Sequence, residues 1–448
     1  MKRSILVVLI VVAVAAAVLS YFDRDRGTQW TTKSPEALNE FLLGQEARMR
    51  LYADEAKDHF TKAAELDEGF VVAKLMSMQF APHEQRETLL KEMKSFDLVP
   101  LEDHERFLVE YSVARVEGEQ ETADVILDEF LTQHPRSPWG LEAKAGMAWG
   151  RYDLDEAEKL YSQLIEADPN WVTAQNNLGY IAMGRGDFAE ADDHFRTYQY
   201  IAPDQANPHD SRGEMLTLTG HYDEAWDEFQ AALEIRPDFC ASYGHQLTLA
   251  SMAGWNERFD DILQAGKPHC GERLVARLNC AATLWNDFLS EDYKQWQVER
   301  EDGCLEMIGA DTILHRMAAF SGNFDLATEL EAKMGEQLKE YEELGFVSDK
   351  HPVHGIKLHL QGVRLLAAGD TQQAIDSFRG ADKYFFYMGH DPGVLKLWNY
   401  INLSVALESI GDAEAAEREL QRALSVNSQL SNMVEHAKRD LARIPAAT

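Results

Sequence analysis

One spacing governs what this chain can fold into. Pro135, Pro169, Pro203 and Pro237 stand 34 residues apart, and so do Ala123, Ala157, Ala191 and Ala225. Gly186, Gly220 and Gly254 keep the same step, with Gly118 before them in register and Gly322 after. Three residue types sharing one period mark a tandem array, in which each unit buries its apolar face only against its neighbours. The small Ala suits a close helix crossing, the Gly suits the turn between two helices, and the Pro ends the second helix. Between them, Leu178, Ala182, Phe188, Ala191, Phe195 and Tyr198 recur at helical steps, so each unit reads as helix, turn, helix. The expectation is an all-α solenoid of antiparallel helix pairs.

On these residues the chain resembles the tetratricopeptide repeat (TPR) family. The block from Val172 supplies Leu178, Gly179, Ala182, Ala191, Phe195, Tyr198 and Pro203, and the block from Ala206 supplies Gly213, Leu216, Gly220, Tyr222, Ala225, Phe229, Ala232 and Pro237. The resemblance implies a right-handed superhelix over residues 35–341, clearest over 104–239. Residues 342–354 then form an insertion, residues 355–430 hold further repeats, and residues 431–448 form a polar capping helix and tail. Phe259 and Tyr293 stand where the small Ala belongs, so the helix pairs there must pack differently. Pro203–Phe239 also resembles TPR modules of bacterial signalling proteins, which implies a bacterial type and a sensory or assembly role.

The N-terminal residues 1–26 read separately. Lys2 and Arg3 precede an apolar run, and residues 5–22 make a helix of about 27 Å, close to a bilayer's hydrocarbon thickness. The positive residues before the run keep the N-terminus cytoplasmic and export the rest, to the periplasm or the cell exterior. The small residues Ala15–Ala17 leave a cleaved secretory signal as the alternative. Export brings in the cysteines, since thiols pair in oxidising compartments. The chain has four, Cys240, Cys270, Cys280 and Cys304, all in the stretch where the repeat is most worn. Cys240 opens one helix and Cys270 follows its antiparallel partner, so their ends meet. Cys280 with Cys304 is the remaining pair, and four buried unpaired thiols are the alternative.

Chemistry is sparse. His209-Asp210-Ser211 holds triad residue types, but neighbours on a helix point about 100° apart and form no relay. His351, His354, His359 and His390 carry the only metal-enzyme reading, without a completing carboxylate or cysteine spacing. No catalytic, cofactor or metal residue is assigned. The resemblance places the first helix of each pair on the concave face, which points to Trp139, Glu142, Trp149, Asn176, Tyr180, Asp210 and Glu214 as a polypeptide-binding groove. Inter-repeat packing is the competing role for Trp139 and Trp149. The basic clamp of chaperone-tail receptors is missing. With 43 Lys and Arg against 76 Asp and Glu, the net charge of −33 repels phosphate backbones and argues against a nucleic-acid partner. The expected function is a membrane-tethered interaction scaffold, with a sensor or regulatory subunit of a signalling system as the alternative.

Overall fold

The computed structural model describes residues 30–80, 83–290, 308–343, 352–387 and 390–444. Residues 5–22, Tyr293, Cys304, His351 and most of the 342–354 insertion lie outside them. No helix among the described residues is long and apolar enough to cross a membrane. These residues form 22 α-helices and no strand. They fall into two compact units, one ending at Gln133 and the other starting at His134.

The first unit holds α1 (Pro35–Met49), α2 (Ala53–Leu66), α3 (Val71–Met78), α4 (His83–Ser95), α5 (Asp103–Val116) and α6 (Gln120–Gln133). An extended segment pins its start. The Thr31 backbone N–H donates to the fully buried Glu105 at 2.7 Å, and the Thr32 hydroxyl donates to Asp67 at 2.6 Å.

The second unit begins with regular pairs: α7 (Pro138–Gly150) with α8 (Leu154–Ala167), α9 (Val172–Arg185) with α10 (Phe188–Ile201), and α11 (Asn207–Leu218) with α12 (Tyr222–Ile235). The period has a visible physical basis here. Ala157, Ala191 and Ala225 are fully buried at the crossing of each pair. Gly179 and Gly213 in the first helices face Phe195 and Phe229 in the second, with no room for a Cβ between them. Asp153 and Asp187 cap the second helices, accepting from the N–H groups of Glu156 and Glu190.

Next comes α13 (Ala241–Ala253), a 3₁₀ turn at Asn256–Arg258, and α14 (Phe259–Gly266). Phe259 occupies the register of the small Ala and is buried, and the second helix shrinks to eight residues. A disulfide joins Cys240 to Cys270 across this shortened pair, with the Cα atoms 5.9 Å apart. Cys280 is also disulfide-bonded, within α15 (Glu272–Ser290).

The remaining helices are α16 (Ile308–Phe320), α17 (Phe324–Glu343), α18 (Pro352–Ala367), α19 (Thr371–Asp382), α20 (His390–Ser409), α21 (Ala413–Val426) and α22 (Ser431–Ala442). Helix α17 runs into the expected insertion and α18 starts within it, so only residues 344–351 separate them.

The second unit coils back on itself. The Tyr387 N–H donates to the Gly184 carbonyl at 3.3 Å, and the Asn427 amide donates to the Tyr222 hydroxyl at 3.1 Å, across 205 residues of sequence. Gly220 has φ +81°, and Asn427 packs where a Cβ would stand, so the turn needs glycine for both conformation and space. Helix α22 therefore departs from a wholly polar cap. His436 and Asp440 are buried, and Asp440 pairs with Arg316 of α16 at 2.7 Å. The accumulated rotation of the repeats has given this terminal helix a partner surface.

Candidate functional site

Six of the seven expected groove residues divide into two groups, and Trp149 lies on a cavity wall described below. Trp139 packs edge-on against Trp171, with centroids 5.0 Å apart, and Glu142 accepts the Trp171 indole N–H at 2.9 Å. Both join α7 to the start of α9, which is the inter-repeat packing weighed above for Trp139.

Asn176, Tyr180, Asp210 and Glu214 lie along two adjacent helices. Asn176 and Tyr180 are four residues apart on α9, as Asp210 and Glu214 are on α11, so each pair shares a face. The Tyr180 hydroxyl donates to Glu214 at 2.9 Å and lies 3.1 Å from the Ser211 hydroxyl. Burial, with the charges of Glu214 and Asp210 nearby, pushes the Tyr180 hydroxyl well above its ordinary value, so it stays a donor. The Ser242 hydroxyl donates to Asp210 at 2.6 Å, and His245 of α13 places Nδ1 3.0 Å from Asp210 and Nε2 3.7 Å from Glu214. The imidazole thus bridges two buried carboxylates. Asn176 is buried, and its Oδ1 has no hydrogen-bond partner in the fold.

The residues of His209-Asp210-Ser211 diverge as expected. His209 turns to Glu228 at 2.6 Å, Asp210 to Ser242 and His245, and Ser211 to Tyr180. Glu228 also pairs with the buried Arg212, which Asp192 holds at 2.7 Å. Burial works against ionised Glu228, but the His209 hydrogen bond and the Arg212 charge hold its carboxyl below the usual range.

Trp149, Tyr180 and Glu214 line one cavity of about 350 Å³ with Tyr152, Pro352, Phe386 and Pro392. Tyr152 has φ +54° and stands in the register of Gly186, Gly220 and Gly254, where the backbone is left-handed. A non-glycine residue there costs about 1–2 kcal/mol. Leu51, in the first unit, is the other such case among the described residues. The Tyr152 ring stacks on Phe386 at 5.9 Å. Phe386 belongs to the run Tyr384-Phe385-Phe386-Tyr387, which follows α19 and reaches the α9–α10 turn through Tyr387.

Tyr152, His245, Phe386 and Pro392 were not foreseen. Two signals were available: a tyrosine replacing the register glycine, and four consecutive aromatics in a connection. His245 had none, since its role depends on the neighbouring repeat.

Of the histidines in the metal-enzyme reading, His351 and the His390 side chain lie outside the description, and His354 and His359 take separate partners. His359 is buried, hydrogen-bonded to Asn399 at 3.0 Å and packed against Phe378 and Phe385. His354 lies against Tyr384, 5.3 Å between centroids. Among the described residues the one triplet with metal-ligand atoms close together, all within 4.8 Å, is Asp210, Glu214 and His245. Both ring nitrogens of His245 already face these carboxylates.

No curated protein matches the sequence. The human IFIT1 dimer with m7Gppp-AAAA is 13% identical, with 92% of this chain and 91% of that chain covered at a TM-score of 0.40. The P58(IPK) TPR domain is 12% identical, with 87% of this chain and 98% of that one covered at a TM-score of 0.21. Residues 147–206 and 399–430 each match the tetratricopeptide repeat family, so the chain carries tetratricopeptide repeats in both stretches.

Proposed function

We propose that this protein is a non-catalytic scaffold that holds a polypeptide partner on the inner face of its second unit. Residues 5–22 tether it to a membrane, with the bulk of the chain exported. The observation that carries the reading is the convergence of Trp149, Tyr180 and Glu214, from the first helices of three successive repeats, on one cavity. The apolar run behind Lys2 and Arg3 supports the tether. The Cys240–Cys270 bond suits an oxidising compartment. The net charge of −33 disfavours nucleic acid.

The test is cross-linking and affinity capture from detergent-solubilised membranes of cells expressing the tagged full chain, beside a Thr173→Arg/Asn176→Arg variant that blocks the inner face of α9. The native chain should recover a stoichiometric protein that the variant loses. Equal recovery by both, or no protein partner at any salt concentration, refutes the reading. An m7Gppp-AAAA oligonucleotide serves as the nucleic-acid control, and its stable binding would overturn the charge argument.

A further inference from the structure

We infer that the cavity receives a cationic side chain, Arg or Lys, of the partner polypeptide. The inference rests on the scaffold reading above and names the chemistry of the contact.

The lining has a specific composition. Four aromatic residues, Trp149, Tyr152, Tyr180 and Phe386, and two prolines surround one carboxylate, Glu214, and none of the described lining residues is Lys or Arg. Aromatic faces carry negative quadrupole potential and attract ammonium and guanidinium groups, more strongly where water is excluded. Behind Glu214 stands Asp210, coupled to it through His245. With His245 charged, the three groups sum to −1; with His245 neutral, they sum to −2. The local charge is therefore negative in either state.

This pattern selects among ligand classes. An anion would meet the carboxylates. A neutral apolar group would exclude water from the Glu214 carboxylate, which the Tyr180 hydroxyl already partners, and would bring no positive charge to it. A cation with an apolar stem satisfies both the carboxylate and the rings, as the side chains of Arg and Lys do. The volume, about 350 Å³, lies at the lower end of ligand-site sizes and suits one long side chain with a short stretch of its backbone.

Tyr152 is a second observation at the same place. The register residue adopts left-handed backbone at Gly186, Gly220 and Gly254, and only at this one of the four turns is it a large aromatic, its ring on the cavity wall. Phe386 completes the wall from more than 230 residues away in sequence (386 − 152) and is held there by the Tyr387–Gly184 backbone bond. The cavity is thus built jointly by the early repeats and the returning C-terminal ones.

The test is calorimetric titration of the purified protein with the pentapeptide Gly-Gly-Arg-Gly-Gly, its Lys form, its citrulline form, and tetramethylammonium chloride. Citrulline keeps the shape of arginine and removes the charge. The Arg and Lys peptides should bind, with the citrulline peptide at least about tenfold weaker. Glu214→Gln should erase the difference between Arg and citrulline. Tyr152→Gly places glycine where the backbone favours it, so the variant folds, and it should weaken the Arg peptide several-fold. Equal binding of Arg and citrulline peptides, or no Arg-peptide binding at millimolar concentration, overturns the inference. Tetramethylammonium binding as tightly as the Arg peptide overturns the peptide as source and assigns the cavity to a free small cation. If the Arg peptide binds but membranes yield no partner, the scaffold reading falls and the cation subsite stands. If a partner is captured while citrulline equals arginine, the reverse holds.

Discussion

A single methyl group should separate packing from propensity in this fold. Gly179 lies in the interior of α9, and a Cβ built there would stand 2.5 Å from Cε1, 2.8 Å from Cδ1 and 2.9 Å from Cζ of Phe195. Helix propensity alone favours Ala over Gly by about 1 kcal/mol. The Phe195 ring is fully buried and lies edge-on to Tyr180 at 5.4 Å, so it has no free space to enter. Moving it by the ångström that contact requires is overpacking of a dense core, which costs about 1–3 kcal/mol. The clash therefore outweighs the propensity gain, and Gly179→Ala should be destabilising by up to about 2 kcal/mol. Gly146 of α7 is the control. It is also inside a helix, but nothing lies within 4 Å of its added Cβ, so Gly146→Ala should stabilise by up to about 1 kcal/mol. Urea unfolding followed by far-UV circular dichroism reads both shifts, compared at the midpoint of the same transition because repeat arrays need not melt in one step. A Gly179→Ala protein as stable as the native one, or two variants shifting in the same direction, would refute the reasoning. A double-mutant cycle with Phe195→Leu should return a favourable coupling of about 1 kcal/mol, since the smaller side chain relieves the contact.

Three further outcomes are expected. Burial, assisted by the charges of Arg316 and His315 and opposed by the Asn399 hydrogen bond, lowers the His359 pKa to about 4. A base with a depressed folded-state pKa contributes stability that is complete above its unfolded value near 6.5 and is lost as pH falls towards 4, here about 3 kcal/mol at most. His315 is shifted in the same direction by burial and adds to the loss, while Glu331 partly holds it charged. Urea midpoints should thus fall between pH 7.5 and 5, and His359→Leu should flatten that slope; an unchanged slope would discount His359. Reducing the Cys240–Cys270 bond, which closes a 30-residue separation, should cost about 3.6 kcal/mol and lower the melting temperature. Cys240→Ser should mimic the shift, and insensitivity of the melting curve to reductant would contradict it. Asp440→Ala leaves the buried Arg316, among the described residues, with Asn402 and aromatic faces but no carboxylate, and should cost about 3–5 kcal/mol. Amide exchange should then rise first in α22; exchange unchanged there would show that the ion pair does not hold the C-terminal helix.

Tyr152 shows where reading the sequence stops being sufficient. The 34-residue step passes through 118, 152, 186, 220 and 254, and a tyrosine among glycines is visible on the page. Its meaning is not, because the ring's partner is Phe386. Trp139 and Glu142 share a helix face by position, yet Trp171 of the next unit engages both. The sequence left His359 without an assigned role, and its neighbours supply one. Asn399 Nδ2 donates to the Phe378 carbonyl at 2.9 Å, which turns Oδ1 to the imidazole and fixes a neutral core histidine.

The sequence by itself determined the helix pair, its period and its repetition. Those depend on contacts within about one repeat length, such as Gly179 with Phe195 and Ala191 at the crossing, and each residue's type states its own packing requirement. Tertiary structure alone decided that the second unit coils until Asn427 meets Tyr222 and Asp440 meets Arg316, and that a cavity forms between early and late repeats. The rotation of each pair on the next is small, and no single residue type encodes it. Its sum over many repeats sets which distant residues meet, so the local architecture is legible in one period and the site is not.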